Sequence, residues 1–264
     1  PRQALIKQVE RAKAMGFEVQ TGAELEFYLL DPETGLPRDE GIQVYGLGRA
    51  ARMEHIVGPI RRQINECGIP IEQSNPEYAC GQVEVNMRYD EALLGADRVV
   101  MFRNVIKDIA RCEGYHATFM AKPYGDRAGS GFHVHFSMLD ENGVNVFDNG
   151  GDEGTPLMLN AVAGLLATMQ ENSLTFAPHE NSYRRLMPGA HAPTGVAWGY
   201  ENRTAAIRIP GGSHKARRIE HRVAGADANP YLVLTSILGG ALLGIENEMT
   251  PTPAIVGDAY RLDL

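Results

Sequence analysis

Four short stretches alternate polar and apolar residues one by one: Glu24-Leu-Glu26-Phe, Gln82-Val-Glu84-Val-Asn86-Met-Arg88, His133-Val-His135-Phe-Ser137 and Arg218-Ile-Glu220-His-Arg222. Side chains of a strand point to its two sides in turn, so each stretch folds with one apolar and one polar face. Four such strands commit the chain to a sheet with one face on a core and the other polar. An antiparallel sheet meets that demand; an all-parallel one is covered on both faces. For any single strand, a hydrated outer face explains the pattern as well as a site does. The residue types shift that balance: these faces carry Glu, His and Arg and no lysine, whereas hydrated faces are rich in lysine and threonine.

Paired carboxylates repel unless a cation joins them, and arginine favours planar, bidentate oxyanions. Glu77, in Asn75-Pro-Glu77-Tyr, adds a carboxylate just ahead of the Glu84 strand. The carboxylates of Glu24, Glu26, Glu77, Glu84 and Glu220, with the imidazoles of His133 and His135, are enough for two or three divalent ions. Oxygen-rich ligation with one imidazole per metal suits Mg2+ or Mn2+ better than structural zinc. The residues alone leave open whether both imidazoles bind one metal. Arginines follow densely at 184, 185, 203, 208, 217, 218 and 222. Carboxylate to metal, metal to phosphate and phosphate to arginine describe nucleotide-dependent phosphoryl transfer by positioning and electrostatics. No G-x-x-x-x-G-K-[ST] occurs, and Gly211-Gly212 is too short for a phosphate loop.

The 264 residues, 44% apolar, can bury a substantial core, and the net charge of −8 argues against nucleic acid as main partner. Cys67, Cys80 and Cys112 form no C-x-x-C and read as reduced, small hydrophobes of a cytoplasmic protein. The apolar run from Tyr231 to Ile245 is too short to cross a membrane. The chain opens at Pro1 within what reads as a helix and closes at Asp263-Leu264, so both ends read as cut from something longer. Leu5, Val9 and Ala12 predict a helix ending near Gly16; Glu18 to Leu30 predicts a strand. Helices are predicted over 49–67, 93–112 and 157–169, and from Asn229-Pro230 onward. Strands are predicted at 69–72, 82–88, 115–120, 132–139, 204–209 and 218–223, with a hairpin turn at Asn142-Gly143. Lacking βαβ alternation, this order predicts an α+β fold with a largely antiparallel sheet.

Ordered motifs over nearly the whole chain resemble the glutamine synthetase superfamily. They are Glu24-x-Glu26, Glu77-Tyr-Ala-Cys-Gly-Gln-Val-Glu84, Lys122-Pro-Tyr-Gly-Asp with Gly129-Ser-Gly-Phe-His-Val-His135, Asn181-Ser-Tyr-Arg-Arg-Leu-Met-Pro-Gly189, Glu201-Asn-Arg-Thr-Ala-Ala-Ile-Arg-Ile-Pro210, and Arg218-Ile-Glu-His-Arg222 with Ala228-Asn-Pro-Tyr-Leu232. The resemblance implies one catalytic domain over residues 1–264, with a curved, largely antiparallel sheet whose charged inner face is flanked by helices. It implies that an N-terminal β-grasp domain and a C-terminal helical tail are missing from this chain. It implies an ATP-dependent ligase that makes γ-glutamyl phosphate, from which an amine displaces phosphate. Glu26, Glu77 and Glu84 match the ligands of one Mg2+ or Mn2+, and Glu24, His133 and Glu220 those of another. His135 and Ser137 match nucleotide contacts, and Arg203, Arg208 and Arg218 match phosphate-binding positions. Arg185 and Arg222 match positions that hold glutamate carboxylates, while Gly129 matches a backbone contact to it. The family assembles as a homo-oligomer of stacked rings, each site completed by the neighbour's small domain.

Two departures point to the branch. Between Pro188-Gly189 and Ala192-Pro193, ammonia-using members carry a flap glutamate that binds ammonium and takes its proton; here the residue is His191. A neutral imidazole can act as base near neutral pH but supplies no fixed negative charge. The asparagine expected before Gly129 is Ala128. Both changes, with Trp198-Gly-Tyr-Glu-Asn-Arg203, resemble γ-glutamylpolyamine synthetases. The expectation is therefore a glutamate–polyamine or other glutamate–amine ligase, with ammonia-dependent glutamine synthetase as the alternative and a non-catalytic structural or regulatory relative as the remote one. His55, His116, His179, His214 and His221 are expected to be structural or solvated, and Tyr183 and Trp198 to pack.

Overall fold

The structure, a computed structural model, describes residues 1–261, so the expected end at Asp263-Leu264 lies outside the described residues. Helix α1 (Arg2–Ala14) buries Leu5, Val9 and Ala12 and stops before Gly16, whose φ of +86° suits glycine. Strand β1 (Glu18–Leu30) has the bounds that its alternation predicts. Helix α2 (Leu47–Glu66) leads to β2 (Ile71–Pro76), β3 (Gln82–Met87) and the two-residue β4 (Asp90–Glu91). Helix α3 (Ala92–Cys112) is capped by the Glu91 carboxylate, which accepts from the Leu93 and Leu94 amides at 3.1 Å. Strands β5 (His116–Thr118) and β6 (Phe132–Leu139) precede α4 (Pro156–Thr168) and the one-turn helices α5 (Ser173–Phe176) and α6 (Glu180–Tyr183). The chain continues through β7 (Trp198–Tyr200), β8 (Ile207–Ile209) and β9 (Ile219–His221) to α7 (Pro230–Glu246). There Asn229 Oδ1 accepts from the Tyr231 amide at 3.1 Å, with Pro230 at the first helical position, as the sequence predicts.

One sheet holds the nine strands in the order β2-β3-β1-β6-β9-β8-β7, with β4 and β5 also on β1. Every pairing is antiparallel except β7 with β8, so the α+β class stands. Register aligns the polar positions of neighbouring strands. Asn86, Glu24 and His133 form one cross-strand row, and His135, Glu220 and Arg208 another. Leu25, Phe27, Val83, Val85, Phe132, Val134 and Phe136 take the opposite face and join Phe102 and Ile106 of α3 in the core. Burying each such side chain contributes about 1.5–3 kcal/mol. Helices α4 and α7 meet at glycines: a Cβ on Gly164 would lie 2.1 Å from Gly240 O, and one on Gly244 2.1 Å from Asn160 O.

Several predicted strands are shorter than their pattern, because side chains capture the backbone. Thr118 Oγ1 accepts from the Met120 amide, ending β5, and Asn202 Oδ1 accepts from the Thr204 amide at 3.0 Å, delaying β8. The strand predicted at 69–72 starts at Ile71, with a register shift between Ile71 and Gln73. The Asn142-Gly143 turn is present, Asp140 Oδ1 accepting from the Asn142 and Val144 amides. The cysteine expectation needs correction: all three are free, but only Cys80 is buried, Cys67 and Cys112 being exposed at helix ends. Among the described residues no helix is long and apolar enough to cross a membrane.

Candidate active site

The polar face of the sheet is not open to water. Glu84, His133 and Glu220 are 7%, 5% and 0% exposed, and β3 is buried along its whole length. Loops and the segment after α6 cover this face, leaving a cleft of about 940 Å³. Glu24, Glu26, Glu77, Glu84, His133, Gly129, Arg185, His191, Arg203, Arg208 and Arg222 all line it. His135, Ser137, Arg218 and Glu220, expected with them, do not. Glu220 and His135 are buried register partners, and Ser137 sits further along β6, opposite Gln20.

Two constellations could hold a cation: Glu24, His133 and Glu220, and Glu26, Glu84 and His133. In the first, His133 Nε2 accepts from Arg185 Nη2 at 3.5 Å, so Nδ1 carries the hydrogen and donates to Glu24 Oε2 at 3.3 Å. His135 faces Glu24 as well. Its Nδ1 accepts from Arg218 Nε at 3.0 Å and its Nε2 donates to Glu24 Oε1 at 2.8 Å. Burial pushes the Glu24 carboxyl up, but these two imidazole hydrogen bonds outweigh it and hold the group well below the usual carboxylate range. Glu220 accepts from Arg208 Nη1 at 2.7 Å and from Arg222 Nη1 on its other oxygen. Burial opposes its charge, yet Arg222, His135 and His133 bring its pKa down to about 2.

The second constellation behaves in the opposite way. Glu26 and Glu84 are register partners, and Arg185 is the cation whose charge acts on Glu26. Burial, then the charges of Glu24, Glu26 and Glu77, lifts the Glu84 carboxyl well above its ordinary value. Burial and Glu26 push Glu77 up to about 8. Glu77 follows the end of β2 instead of standing on a strand, and its carboxylate lies outside the Glu26–Glu84–His133 group. A divalent ion is the missing positive charge that such a cluster fits, and its oxygen donors suit Mg2+ or Mn2+.

The glycine loop and the arginines are linked in a way the sequence does not announce. A Cβ on Gly129 would lie 2.8 Å from Arg185 Cγ, and one on Gly131 2.6 Å from Arg185 Nη2, so the glycines admit this arginine. Arg185 is buried, donates to Val223 O at 2.9 Å and Arg222 O at 3.2 Å, and is pushed down to about 10 by that burial. Arg222 Nη2 donates to His191 O at 3.2 Å, tying Glu220 to the segment that carries His191. His191 is exposed, takes φ +52°, and has its ring 6.1 Å from that of Tyr78. Arg203 is exposed and, with Tyr45 and Glu77, lines the cleft.

Tyr45, Tyr78, Gln82 and Lys122 line the cleft, although sequence reasoning assigns them no role. Tyr78 and Gln82 lie within the Glu77–Glu84 motif, which is the one signal that could have found them. Of the histidines expected to be structural, His221 packs on Phe176 at 4.5 Å and is pushed down to about 3 by burial and His133. His214 meets Asp148 at 2.9 Å, and His55 Nε2 meets Tyr115 Oη at 2.9 Å. Trp198 is buried, donating to Thr252 O at 2.7 Å, as expected of a packing residue.

A family model described as the catalytic domain of glutamine synthetase matches residues 1–264. The chain belongs to that family. A glutamate–isopropylamine ligase of Pseudomonas sp. is 36% identical over 99% of this chain and 60% of its own length. A glutamine synthetase of Halobacterium salinarum is 37% identical over 100% of this chain and 59% of its own. Overall identity therefore does not separate a glutamate–isopropylamine ligase from a glutamine synthetase as relatives. A solved structure described as a GmaS/ADP complex superposes with a TM-score of 0.92 at 32% identity, covering 99% of this chain and 62% of that one. The chain thus spans about 60% of the length of the relatives it matches.

Proposed function

We propose that the chain is the catalytic domain of an ATP-dependent glutamate–amine ligase. What carries this reading is one cleft that holds unneutralised carboxylates and arginines together with His191 where a flap carboxylate would stand. Glu24, His133 and Glu220 would hold one divalent ion, and Glu26 and Glu84, with Glu77 beside them, the other. When bound, the ions supply positive charge to the ATP phosphates. A γ-carboxylate oxygen of glutamate attacks the γ-phosphorus of ATP; the new P–O bond forms as the bond to ADP breaks. Arg203 and Arg208 reach the cleft and stabilise charge on the transferring group. The amine nitrogen then attacks the acyl carbon, phosphate leaves, and the nitrogen gives up a proton, for which His191 is the candidate base. Arg185 and Arg222 provide positive charge near the glutamate carboxylates, and Gly129 the backbone contact. His135 and Arg218, bonded to one another, act on the nucleotide side through Glu24, and Ser137 lies further out on the same strand.

His191 supplies no fixed charge for ammonium, which favours a larger amine. The branch resemblance names polyamines, and the isopropylamine ligase widens the class to small alkylamines. Exposed Val44, Tyr45 and Tyr78 on the cleft lining support a site completed by a neighbouring subunit in a ring homo-oligomer. The free cysteines fit a cytoplasmic protein. The test is phosphate release by the full-length protein with ATP, glutamate, Mg2+ and a panel of ammonia, isopropylamine, ethanolamine and putrescine. At least one organic amine is expected to exceed ammonia in kcat/KM. Ammonia exceeding all of them would return the protein to ordinary glutamine synthetase, and no release with any would leave the non-catalytic alternative.

A further inference from the structure

Three consecutive carbonyls, those of Arg127, Ala128 and Gly129, are each held by a side chain from a different part of the fold. Lys122 Nζ donates to Arg127 O, Tyr28 Oη to Ala128 O at 2.6 Å, and Gln82 Nε2 to Gly129 O at 2.9 Å. Tyr28 and Gln82 are cross-strand partners on β1 and β3 and are 0% and 1% exposed. The Tyr28 ring packs with Leu30, Ala79 and Tyr124 in a small cluster apart from the main core, and its hydroxyl ends on the loop. The Gln82 amide cannot turn over, because its Oε1 accepts from the Ala79 amide at 3.3 Å.

Gln82 also reaches the carboxylate cluster. Its Nε2 lies 3.4 Å from Glu26 Oε2, which accepts from the Gly131 amide at 2.6 Å. Glu26 therefore has one oxygen turned to the loop and the other free for the cleft. One buried amide touches both the loop and a carboxylate that would ligate metal.

We propose that Tyr28 and Gln82 are positioning residues: Tyr28 fixes the loop that receives glutamate, and Gln82 ties that loop to Glu26, so that occupancy of the metal site and of the glutamate site reinforce one another. This rests on the reading of Gly129 as the glutamate contact. Metal binding orders Glu26, Glu26 orders Gln82, and Gln82 holds the Gly129 carbonyl in place; by linkage glutamate acts back on metal affinity.

The test compares Tyr28→Phe and Gln82→Met in the full-length protein, reading Mn2+ affinity by calorimetry with and without glutamate, and KM for glutamate and ATP by phosphate release. Tyr28→Phe is expected to raise the glutamate KM about fivefold, the equivalent of one hydrogen bond, with a smaller change in kcat and an unshifted Mn2+ affinity. Gln82→Met is expected to weaken Mn2+ and glutamate alike and to abolish the tightening of Mn2+ by glutamate. An unchanged glutamate KM in Tyr28→Phe, or a persisting metal–glutamate coupling in Gln82→Met, overturns the proposal. A fall in thermal stability without any split between glutamate and ATP KM overturns it too. Should Gln82→Met not fold, Tyr28→Phe alone decides. A wild-type protein that releases no phosphate removes the ligase reading instead, and calorimetry still reads the Gln82–Glu26 link.

Discussion

Glu220 shows what a single buried carboxylate does when its partners are arginines. Each oxygen accepts from a different guanidinium, so removing the charge takes the fully buried carboxylate from between Arg208 and Arg222 and leaves Arg208 only its exposed partner Glu201. Breaking such a buried pair costs about 3–5 kcal/mol; urea unfolding of Glu220→Gln should show a loss of that order. His191 is the counterpart at the cleft mouth, an exposed side chain on a backbone whose carbonyl accepts from Arg222. His191→Glu should raise kcat/KM for ammonia relative to isopropylamine, and failure to shift that ratio would show that another group sets the amine. Strict alternation made Glu24, Glu84, His133 and Glu220 legible in the sequence, because it fixes which side of a strand a residue takes. It could not show that His135 turns to Glu24, nor that Gly129 and Gly131 make room for Arg185. Those facts depend on segments more than fifty residues away approaching closely.

At the scale of elements, the close meeting of α4 and α7 depends on three glycines. An added methyl at Gly244 would stand 2.1 Å from the Asn160 carbonyl, which belongs to a helix backbone and cannot step aside. Gly244→Ala should therefore cost at least about 3 kcal/mol by overpacking, measurable as a lowered urea midpoint at unchanged slope. Alanine is the better helix former, so a gain in stability would show that the helices can separate at no cost. Long elements were legible almost to the residue, β1 and β6 above all, since many residues voted for one period. The three-residue strands were not: their ends are set by Thr118, Asn202 and neighbouring loops, a local competition that periodicity does not register.

For the molecule as a whole, the two carboxylate groups respond to pH over different ranges. Glu77 and Glu84 have raised folded pKa values, so their contribution is fully present below the unfolded value and is lost as pH rises towards about 8. Glu24 and Glu220 are depressed, so theirs is present above the unfolded value and is lost only as pH falls into the acid range. Buried His221, whose pKa is depressed to about 3, adds stability as pH rises to about 6.5, so the Tm of metal-free protein should drop between about pH 6.5 and about pH 8. Saturating Mg2+ should flatten that slope; parallel curves with and without the ion would count against a metal site at Glu26, Glu77 and Glu84.

Strand β1 carries partners on both edges, β4 and β3 on one and β6 and β5 on the other. All four lie later in the chain, the last ending at Leu139. During synthesis the ribosome thus releases β1, with Val19, Leu25, Phe27, Leu29 and Leu30, ahead of every strand that pairs with it. At ordinary elongation rates the interval up to Leu139 is on the order of ten seconds; β3 can close one edge part-way through it, while the edge that β6 takes waits to the end. A sheet built around a strand that precedes all its partners keeps an edge unpaired until the middle of this segment has been translated.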